Sequence, residues 1–275
     1  MNIDGWRYYN HAAIPTCAPH EMPNTAPVKD GTIWKMGGGT PLLARWTEQF
    51  DCGYETNWWY VIKDTPFDIS NLRAKYRYEI NKGYKSFEVY EFNFQEYIHS
   101  VADVYEAAVE SYENQLHFDK SAFINKSKAQ GENERYYGAF EKESGKLCAF
   151  CYLRYQGQCA SYITHKSIPA YEKQSVNAAL VAGMLKANSD FLLDGYICDG
   201  ARSINHKTAF QDYLEKYFDF RKAYCELNIA YNPKVRWIVK LLYPFRGIFL
   251  LLDNINIFHQ INSVLKTEEI KREND

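Results

Sequence analysis

Three polar residues lie near the ends of predicted strands or at the start of a predicted helix, where side chains often take part in chemistry. His165 comes late in the segment CASYITHKSI, Asp199 comes late in the segment GYICDG, and His206 precedes an amphipathic segment. A histidine has an ordinary pKa of about 6.5, so His165 could accept a proton from an attacking amine. The carboxylate of Asp199 could order a water molecule or an amine for the same reaction.

Each of these residues also has a purely structural interpretation. His165 could be an exposed histidine at a strand end, and the dipeptide Asp199–Gly200 is typical of a turn. Asn205 and His206 could donate hydrogen bonds to a bound carbonyl or phosphate, but both residue types are equally common in the turn before a helix. The residues alone leave both interpretations open.

A run of predicted strands and helices would position these candidates. The segments RYYGAFEK, LCAFCYLRY and CASYITHKSI, joined by turns at ESGK and QGQ, predict an antiparallel meander. A helix over 175–188, a short strand over 195–200, a helix over 208–218 and a strand over 221–231 follow. A helix connects the third meander strand to the 195–200 strand, so these two strands should run parallel. The 221–231 strand should then run back in the opposite direction, antiparallel within the sheet.

Upstream, the sequence predicts further strands over 57–64 and 86–92, with a helix between them that Ser70 could cap and Gly83 could end. Residues 1–56 carry clusters of Pro, Gly and Asn, which predict an irregular cover with short strands. We therefore divide the chain into this cover, a main domain over 57–232 and a C-terminal helical extension over 233–275.

The order of these elements resembles the core of the GNAT superfamily of N-acyltransferases. The segments LRAKYRYEINKGYKSFEV and DGARSINHKTAFQDYLEKYFDFRKAYCELNI resemble the GNAT-like domains of FemAB-type transferases and of acyltransferase-like proteins found with bacterial surface-polysaccharide genes. The resemblance covers residues 57–232 and implies an α/β fold: a GNAT-like mixed sheet with an antiparallel meander and flanking helices. It also implies that the third meander strand and the 195–200 strand splay apart to receive the pantetheine arm of an acyl-CoA.

The same resemblance implies where a donor would bind. The diphosphate of an acyl-CoA would lie at the head of the 175–188 helix, at Gln174, Ser175 and Val176, because a helix N-terminus attracts anions. Asn205 would flank the thiol end of that ligand. The segment IPAYEKQSV has no glycine where GNAT enzymes usually carry a glycine-rich loop, and Glu172 adds a negative charge there. Two donors therefore stay open, an acyl-CoA and the aminoacyl-tRNA that FemAB-type transferases use.

The function that the resemblance implies is N-acyl transfer from a small-molecule acyl donor to an amine acceptor, an amino sugar of surface polysaccharide or cell wall being one candidate. The alternative is a catalytically silent GNAT-like module that binds a partner or a membrane surface. We expect no metal, because the C-x-x-C of Cys148 and Cys151 would point its thiols to opposite faces of a strand. We expect no DNA, given a formal net charge of −2. Scattered cysteines and the absence of an apolar leader predict a cytoplasmic protein.

The segment over 235–262 is markedly apolar, but charged residues and a proline interrupt it. No run in it approaches the about 20 residues that cross a bilayer. Its mixture of apolar residues and cations suits either helices packed against the protein or helices that make a peripheral contact with a membrane surface. We favour packing, which predicts that Trp237, Leu241 and Phe249 are largely buried.

Overall fold

The computed structural model describes residues 1–112, 118–127, 129–204, 209–251 and 256–274. The strands formed by these residues are β1 (Trp6–Tyr9), β2 (Ala12–Pro15), β3 (Leu43–Glu48), β4 (Trp58–Lys63), β5 (Phe87–Phe92), β6 (Glu134–Glu141), β7 (Leu147–Gln156), β8 (Cys159–Ser167), β9 (Tyr196–Ala201) and β10 (Arg221–Tyr231). The α-helices are α1 (Ala26–Lys29), α2 (Ala74–Ser86), α3 (Ile98–Glu110), α4 (Lys120–Lys126), α5 (Val176–Ala187), α6 (Ala209–Phe218), α7 (Pro233–Leu242), α8 (Arg246–Leu250) and α9 (Asn256–Asn274).

The chain forms two compact units that interleave along the sequence. Unit 1 comprises Met1–Tyr60, Ala201–Thr208 and Lys222–Asp275, and unit 2 comprises Val61–Gly200 and Ala209–Arg221. The three consecutive segments predicted from the sequence do not coincide with this division. The reason is that β3 pairs with β10, which joins the N-terminal segment and the residues after 222 within one unit.

Unit 2 contains the predicted meander. Strands β5 to β8 pair in sequence order, each antiparallel to the next. Strand β9 then joins β8 in the parallel direction. The α/β fold class, with a mixed sheet built on an antiparallel meander and flanked by helices, is therefore confirmed.

Helix α5 supplies much of the core of unit 2. It packs against β5, β6 and β7, and its buried residues lie all around the helix rather than along one stripe. A Cβ atom added to Gly183 would overlap Cγ1 of Val89, so the lack of a side chain lets α5 lie directly on β5. A second group of aromatic and branched side chains, including Phe92, Val104 and Phe150, packs α3 onto the meander. The sheet and these helices hold the ends of β8 and β9 in place.

Unit 1 contains the shorter strands. β1 and β2 form an antiparallel hairpin, β2 runs parallel to β3, and β3 is antiparallel to β10. The N-terminal segment therefore does contain short strands. The 221–231 strand is antiparallel to a neighbour as predicted, but that neighbour, β3, was not predicted, because the pairing joins residues far apart in the sequence.

The helix after Ser70 differs from the prediction at both ends. Ser70 lies in a short 3-10 turn whose N-cap is Asp68, and α2 begins at Ala74. Gly83 does not end α2, which continues to Ser86. Instead, a Cβ atom at Gly83 would lie 2.5 Å from the carbonyl oxygen of Ser175, so the glycine permits close packing of α2 on the start of α5.

The C-terminal segment forms helices, but its predicted burial was wrong. Trp237 is 72% exposed and Leu241 is 69% exposed, while Phe249 is half-buried. The side of α7 that faces the protein carries Val239, which is buried. Within the part of the chain that the structure describes, no helix combines the length and apolar character needed to cross a membrane.

Candidate active site

Strands β8 and β9 separate after a short paired stretch. Their parallel register ends at the pair Ser161 and Cys198, although β8 continues to Ser167 and β9 continues past Asp199. Beyond Ser161, alternate backbone N–H and C=O groups of β8 point away from β7 toward the edge that β9 has left. This is the splay that the resemblance implied, and it opens a wedge within unit 2.

Tyr162 and Asp199 are the first residues beyond the paired stretch on their respective strands. Tyr162 is buried and Asp199 is half-buried. Burial is the largest cause that raises the pKa of Tyr162, followed by the neighbouring Cys151 and then by the negative charge of Asp199. The two side chains therefore interact at the point where the wedge begins.

A chain of hydrogen bonds extends from Tyr162 across His165 to the first turn of α5. The Tyr162 hydroxyl oxygen lies 2.8 Å from Nδ1 of His165, and Nε2 of His165 lies 2.8 Å from Oδ1 of Asn177. An amide oxygen can only accept, so Nε2 carries the ring proton and donates it to Asn177. Nδ1 then accepts from the Tyr162 O–H, and both ring nitrogens are engaged.

Burial lowers the pKa of His165 to about 4, with the hydrogen bond to Asn177 acting in the opposite direction. The imidazole is thus neutral at neutral pH. Its one lone pair in the ring plane is occupied by Tyr162. In this arrangement His165 orients the Tyr162 hydroxyl, and it could take a proton from a substrate only after that bond is broken.

The pKa of the Asp199 carboxyl group is raised, whereas that of His165 is lowered. Burial raises its pKa to about 7, and a hydrogen bond from Gln211 partly offsets the rise. Gln211 lies on α6, is itself buried, and also donates from Nε2 to the carbonyl oxygen of Gly200 at 3.4 Å. A carboxyl group that exchanges its proton near neutral pH is suited to general-base catalysis.

Aromatic side chains of α6 cover the same group of residues. The ring centroid of Phe210 lies 4.9 Å from that of His165 and 5.6 Å from that of Tyr162. Tyr213 lies beside Phe210, with their centroids 6.1 Å apart. The Phe210 ring shields His165 from water, which is consistent with burial being the largest cause of the lowered pKa of His165.

The head of α5, where a diphosphate was predicted to bind, lies beside a carboxylate. Ser175 adopts a left-handed backbone conformation with φ of 63°, and its hydroxyl donates to Oε2 of Glu79 at 2.6 Å. Ser175 and Val176 are buried, whereas Gln174 is half-exposed. Glu172 is exposed on the preceding turn. Two acidic side chains thus lie close to this helix N-terminus.

The structure brings His165 and Asp199 to one site around Tyr162: His165 is hydrogen-bonded to its hydroxyl, and the charge of Asp199 acts on it. Gln174, Ser175 and Val176 lie at the head of α5 as expected, and their role in donor binding stays a prediction. His206 and Asn205 lie outside the described residues. The sequence interpretation missed Tyr162, Asn177 and Glu79. Asn177 was the most detectable of these, because it is the one polar residue of α5 besides Lys186 and lies in the first turn.

The meander, the parallel β9 and the splay between β8 and β9 agree with the fold that the resemblance implied. The fold is GNAT-like. No family model and no curated protein matches the chain.

Similar solved structures include FemX, with a TM-score of 0.49 and 8% identity over 67% of this chain and 63% of FemX. The matched region is thus slightly less than two thirds of FemX. The structure of L-PGS from Bacillus licheniformis is similar with a TM-score of 0.49 and 12% identity over 86% of this chain and 83% of that one. A conserved protein of unknown function from Bacteroides thetaiotaomicron is similar with a TM-score of 0.49 and 12% identity over 80% and 78% of the two chains.

Proposed function

We propose that this protein is an acyltransferase that moves an acyl or aminoacyl group from an activated ester or thioester to an amine. The observation that carries the proposal is the position of Asp199, whose pKa is raised to about 7, at the opening between β8 and β9. A base of this kind next to an unpaired strand edge is what direct attack of an amine on a carbonyl requires.

In the proposed reaction, the neutral amine attacks the carbonyl carbon of the donor, and a C–N bond forms. The nitrogen then loses a proton to the Asp199 carboxylate. The bond between the carbonyl carbon and the donor oxygen or sulfur breaks, and the alcohol or thiol leaves after taking up one proton. Asp199 returns its proton to the leaving group or to water, so no other reactant is needed.

The free edge of β8 would stabilise the negative charge that develops on the carbonyl oxygen. Backbone N–H groups that point into the wedge can donate to this oxyanion, as in other acyl-transfer sites. Tyr162, held through His165 and Asn177, would keep the base and this edge in a fixed geometry. We assign His165 a positioning role and Asp199 the catalytic role.

The charges at the head of α5 favour a donor that places no diphosphate there. A diphosphate bound at Ser175 would meet the Glu79 carboxylate, and Glu172 would add to the repulsion. We therefore favour an aminoacyl ester, such as a charged tRNA, over acyl-CoA as the donor. The acceptor we propose is an amine on a small molecule, an amino sugar being one candidate.

A transfer assay with two donors tests this proposal. The full chain is incubated with radiolabelled acetyl-CoA or with bulk tRNA charged with radiolabelled amino acids, and with an amino-sugar acceptor such as glucosamine or a nucleotide-linked amino sugar. We expect label to move from charged tRNA to the amine. Asp199→Asn should lower the rate by roughly 10²–10⁴-fold.

Asp194→Asn is the matched control, because Asp194 is an exposed carboxylate just before β9, at the end away from the splay. This variant should keep the wild-type rate. Equal rates for Asp199→Asn and the wild type would remove Asp199 as the base.

The second candidate function is a silent binding module, which the carboxylates at the head of α5 favour. If neither donor yields label transfer, while the chain binds the acceptor with the same affinity in the wild type and in Asp199→Asn, this candidate replaces the enzyme.

A further inference from the structure

A group of large apolar side chains on α7, α8 and the turn between them is exposed. We call this group the C-terminal patch. Its members are between 52% and 81% exposed: Trp237, Ile238, Leu241, Phe245, Ile248, Leu250 and Leu251. Single exposed apolar residues are ordinary, but a contiguous group of this kind marks a contact surface.

The exposure of the patch follows from the geometry of α7. Asn232 caps the helix by accepting a hydrogen bond from the Lys234 N–H at 3.2 Å, and Pro233 occupies the first turn. At 100° per residue, Val239 points to the side opposite the stripe formed by Trp237, Ile238 and Leu241. Val239 is buried, so the protein already occupies one side of α7, and the apolar stripe on the other side has no place in the core.

Cations border the apolar stripe. Lys234, Arg236 and Lys240 lie within the segment, and no Asp or Glu occurs from residue 227 to residue 252. Arg246 also lies there, but its Nε donates to Oε1 of Glu269 at 2.9 Å, so the other three cations form the positive border. Lys240 Nζ lies 5.7 Å from the centroid of the Trp237 ring. The aliphatic stem of such a lysine can lie along apolar surface while its ammonium group reaches a polar phase. The patch is therefore apolar in the middle and positive at its border.

We propose that the C-terminal patch binds the surface of a membrane that contains anionic lipids. An exposed apolar stripe with Trp and bordering cations matches the boundary between headgroups and acyl chains, where the apolar side chains leave water and the cations meet phosphate. Tryptophan is favoured at this boundary because its ring is apolar and its N–H is polar.

The charge of the patch favours a bilayer over a second copy of this chain. Two copies that met through this surface would bring two sets of cations together, which opposes association at moderate salt. An anionic lipid surface instead attracts them. The proposal concerns unit 1 alone and does not depend on the acyltransferase activity proposed for unit 2.

Co-sedimentation of the full chain with vesicles tests the proposal without any substrate. The vesicles are pure phosphatidylcholine, or phosphatidylcholine with about a third phosphatidylglycerol. We expect the protein to sediment with the anionic vesicles and to be released as salt is raised.

The double variant Trp237→Ser/Leu241→Ser should lose roughly tenfold or more of its partition coefficient. Lys234→Gln/Lys240→Gln should lose up to about fivefold per charge on anionic vesicles and change little on neutral ones. Leu193→Ser is the matched control, because Leu193 is 68% exposed but lies in unit 2. All substituted positions are exposed, and unchanged circular dichroism and melting midpoints would show that the variants fold.

Two results would overturn the proposal. One is a wild-type protein that sediments with neither kind of vesicle. The other is self-association in sedimentation velocity without lipid that Trp237→Ser/Leu241→Ser abolishes, which would assign the patch to a second copy of the chain.

Discussion

Tyr162 and His165 are hydrogen-bonded on the same side of β8, although residues three apart on a regular strand point to opposite faces. The register between β7 and β8 shifts at this point: Leu153 pairs with Tyr162 and Tyr152 pairs with Thr164, so Ile163 is an extra residue. Such a β-bulge reverses the alternation beyond it. The bulge thus brings the hydroxyl and the imidazole together where β9 departs.

Asp199→Asn should stabilise the protein above neutral pH. The pKa of Asp199 in the folded state, about 7, lies above its ordinary value of 3.8, so the folded state binds more protons than the unfolded state between these values. The stability that Asp199 contributes is therefore present below about pH 4 and is lost as pH rises through about 7. The asparagine variant lacks this loss, and its free energy of unfolding at about pH 8 should exceed that of the wild type by roughly 1–3 kcal/mol.

Urea unfolding at about pH 5 and pH 8 measures this difference. If the variant exceeds the wild type in free energy of unfolding at pH 8, and does so by less at pH 5, the result fits the titration of a buried carboxyl group. The same stability difference at both pH values would contradict it. Asp194→Asn again serves as the control.

His165→Gln should flatten the acid side of the stability curve. The pKa of His165 is lowered from 6.5 to about 4, so between these values the unfolded state binds the extra proton. The contribution of His165 is present above about pH 6.5 and is lost as pH falls through about 4. The glutamine variant should be less stable than the wild type at neutral pH, because the hydrogen bonds to Tyr162 and Asn177 change. Its free energy of unfolding should, however, vary less than that of the wild type between pH 6.5 and 4. A wild-type slope in this window would mean that another group is responsible.

Gly83→Ala should destabilise the protein by about 1–3 kcal/mol, because the added Cβ would lie 2.5 Å from the Ser175 carbonyl oxygen and 2.8 Å from Cβ of Ala179. Helix α2 would have to move away from the head of α5. The matched control is Gly247→Ala in α8, where an added Cβ meets nothing within 4 Å. Alanine there should be neutral or stabilising by up to about 1 kcal/mol. Thermal unfolding of both variants measures these stability changes. An equal loss of stability in Gly83→Ala and Gly247→Ala would argue against a steric origin.

Acetyl-CoA should bind weakly or not at all to the wild type in a calorimetric titration. The carboxylates of Glu79 and Glu172 near the N-terminus of α5 oppose a diphosphate. If the site exists but is obstructed by charge, Glu79→Gln/Glu172→Gln should bind acetyl-CoA measurably more tightly, whereas Asp194→Asn should not. Micromolar binding by the wild type would show that these carboxylates do not exclude the cofactor.

The meander and the parallel β9 could be predicted because their signals are local. Alternating apolar residues define each strand, and the short turns at ESGK and QGQ leave few choices of pairing. The position of Asp199 near the end of a short strand was likewise predictable, and its catalytic role stays a prediction.

The features that the sequence did not predict depend on contacts between residues that are distant along the chain. The pairing of β3 with β10 joins segments that are about 180 residues apart, and no local pattern specifies such a partner. Gly83 was predicted to end a helix. Its observed role, close packing against Ser175, involves another element and leaves no local signal in the sequence. Trp237 was expected in the core, since composition alone does not say which side of an amphipathic helix the protein covers.

The interleaving of the two units constrains how the chain can be synthesised and divided. All residues of unit 2 have been synthesised once residue 221 has left the ribosome, whereas unit 1 still lacks β10, which pairs with β3. Strand β3 must therefore remain without β10 until residues 221–231 have been synthesised, a period in which an unpaired strand edge is prone to aggregation. No single cut in the polypeptide separates the units, so limited proteolysis in one loop would nick the protein without releasing either unit as a continuous fragment.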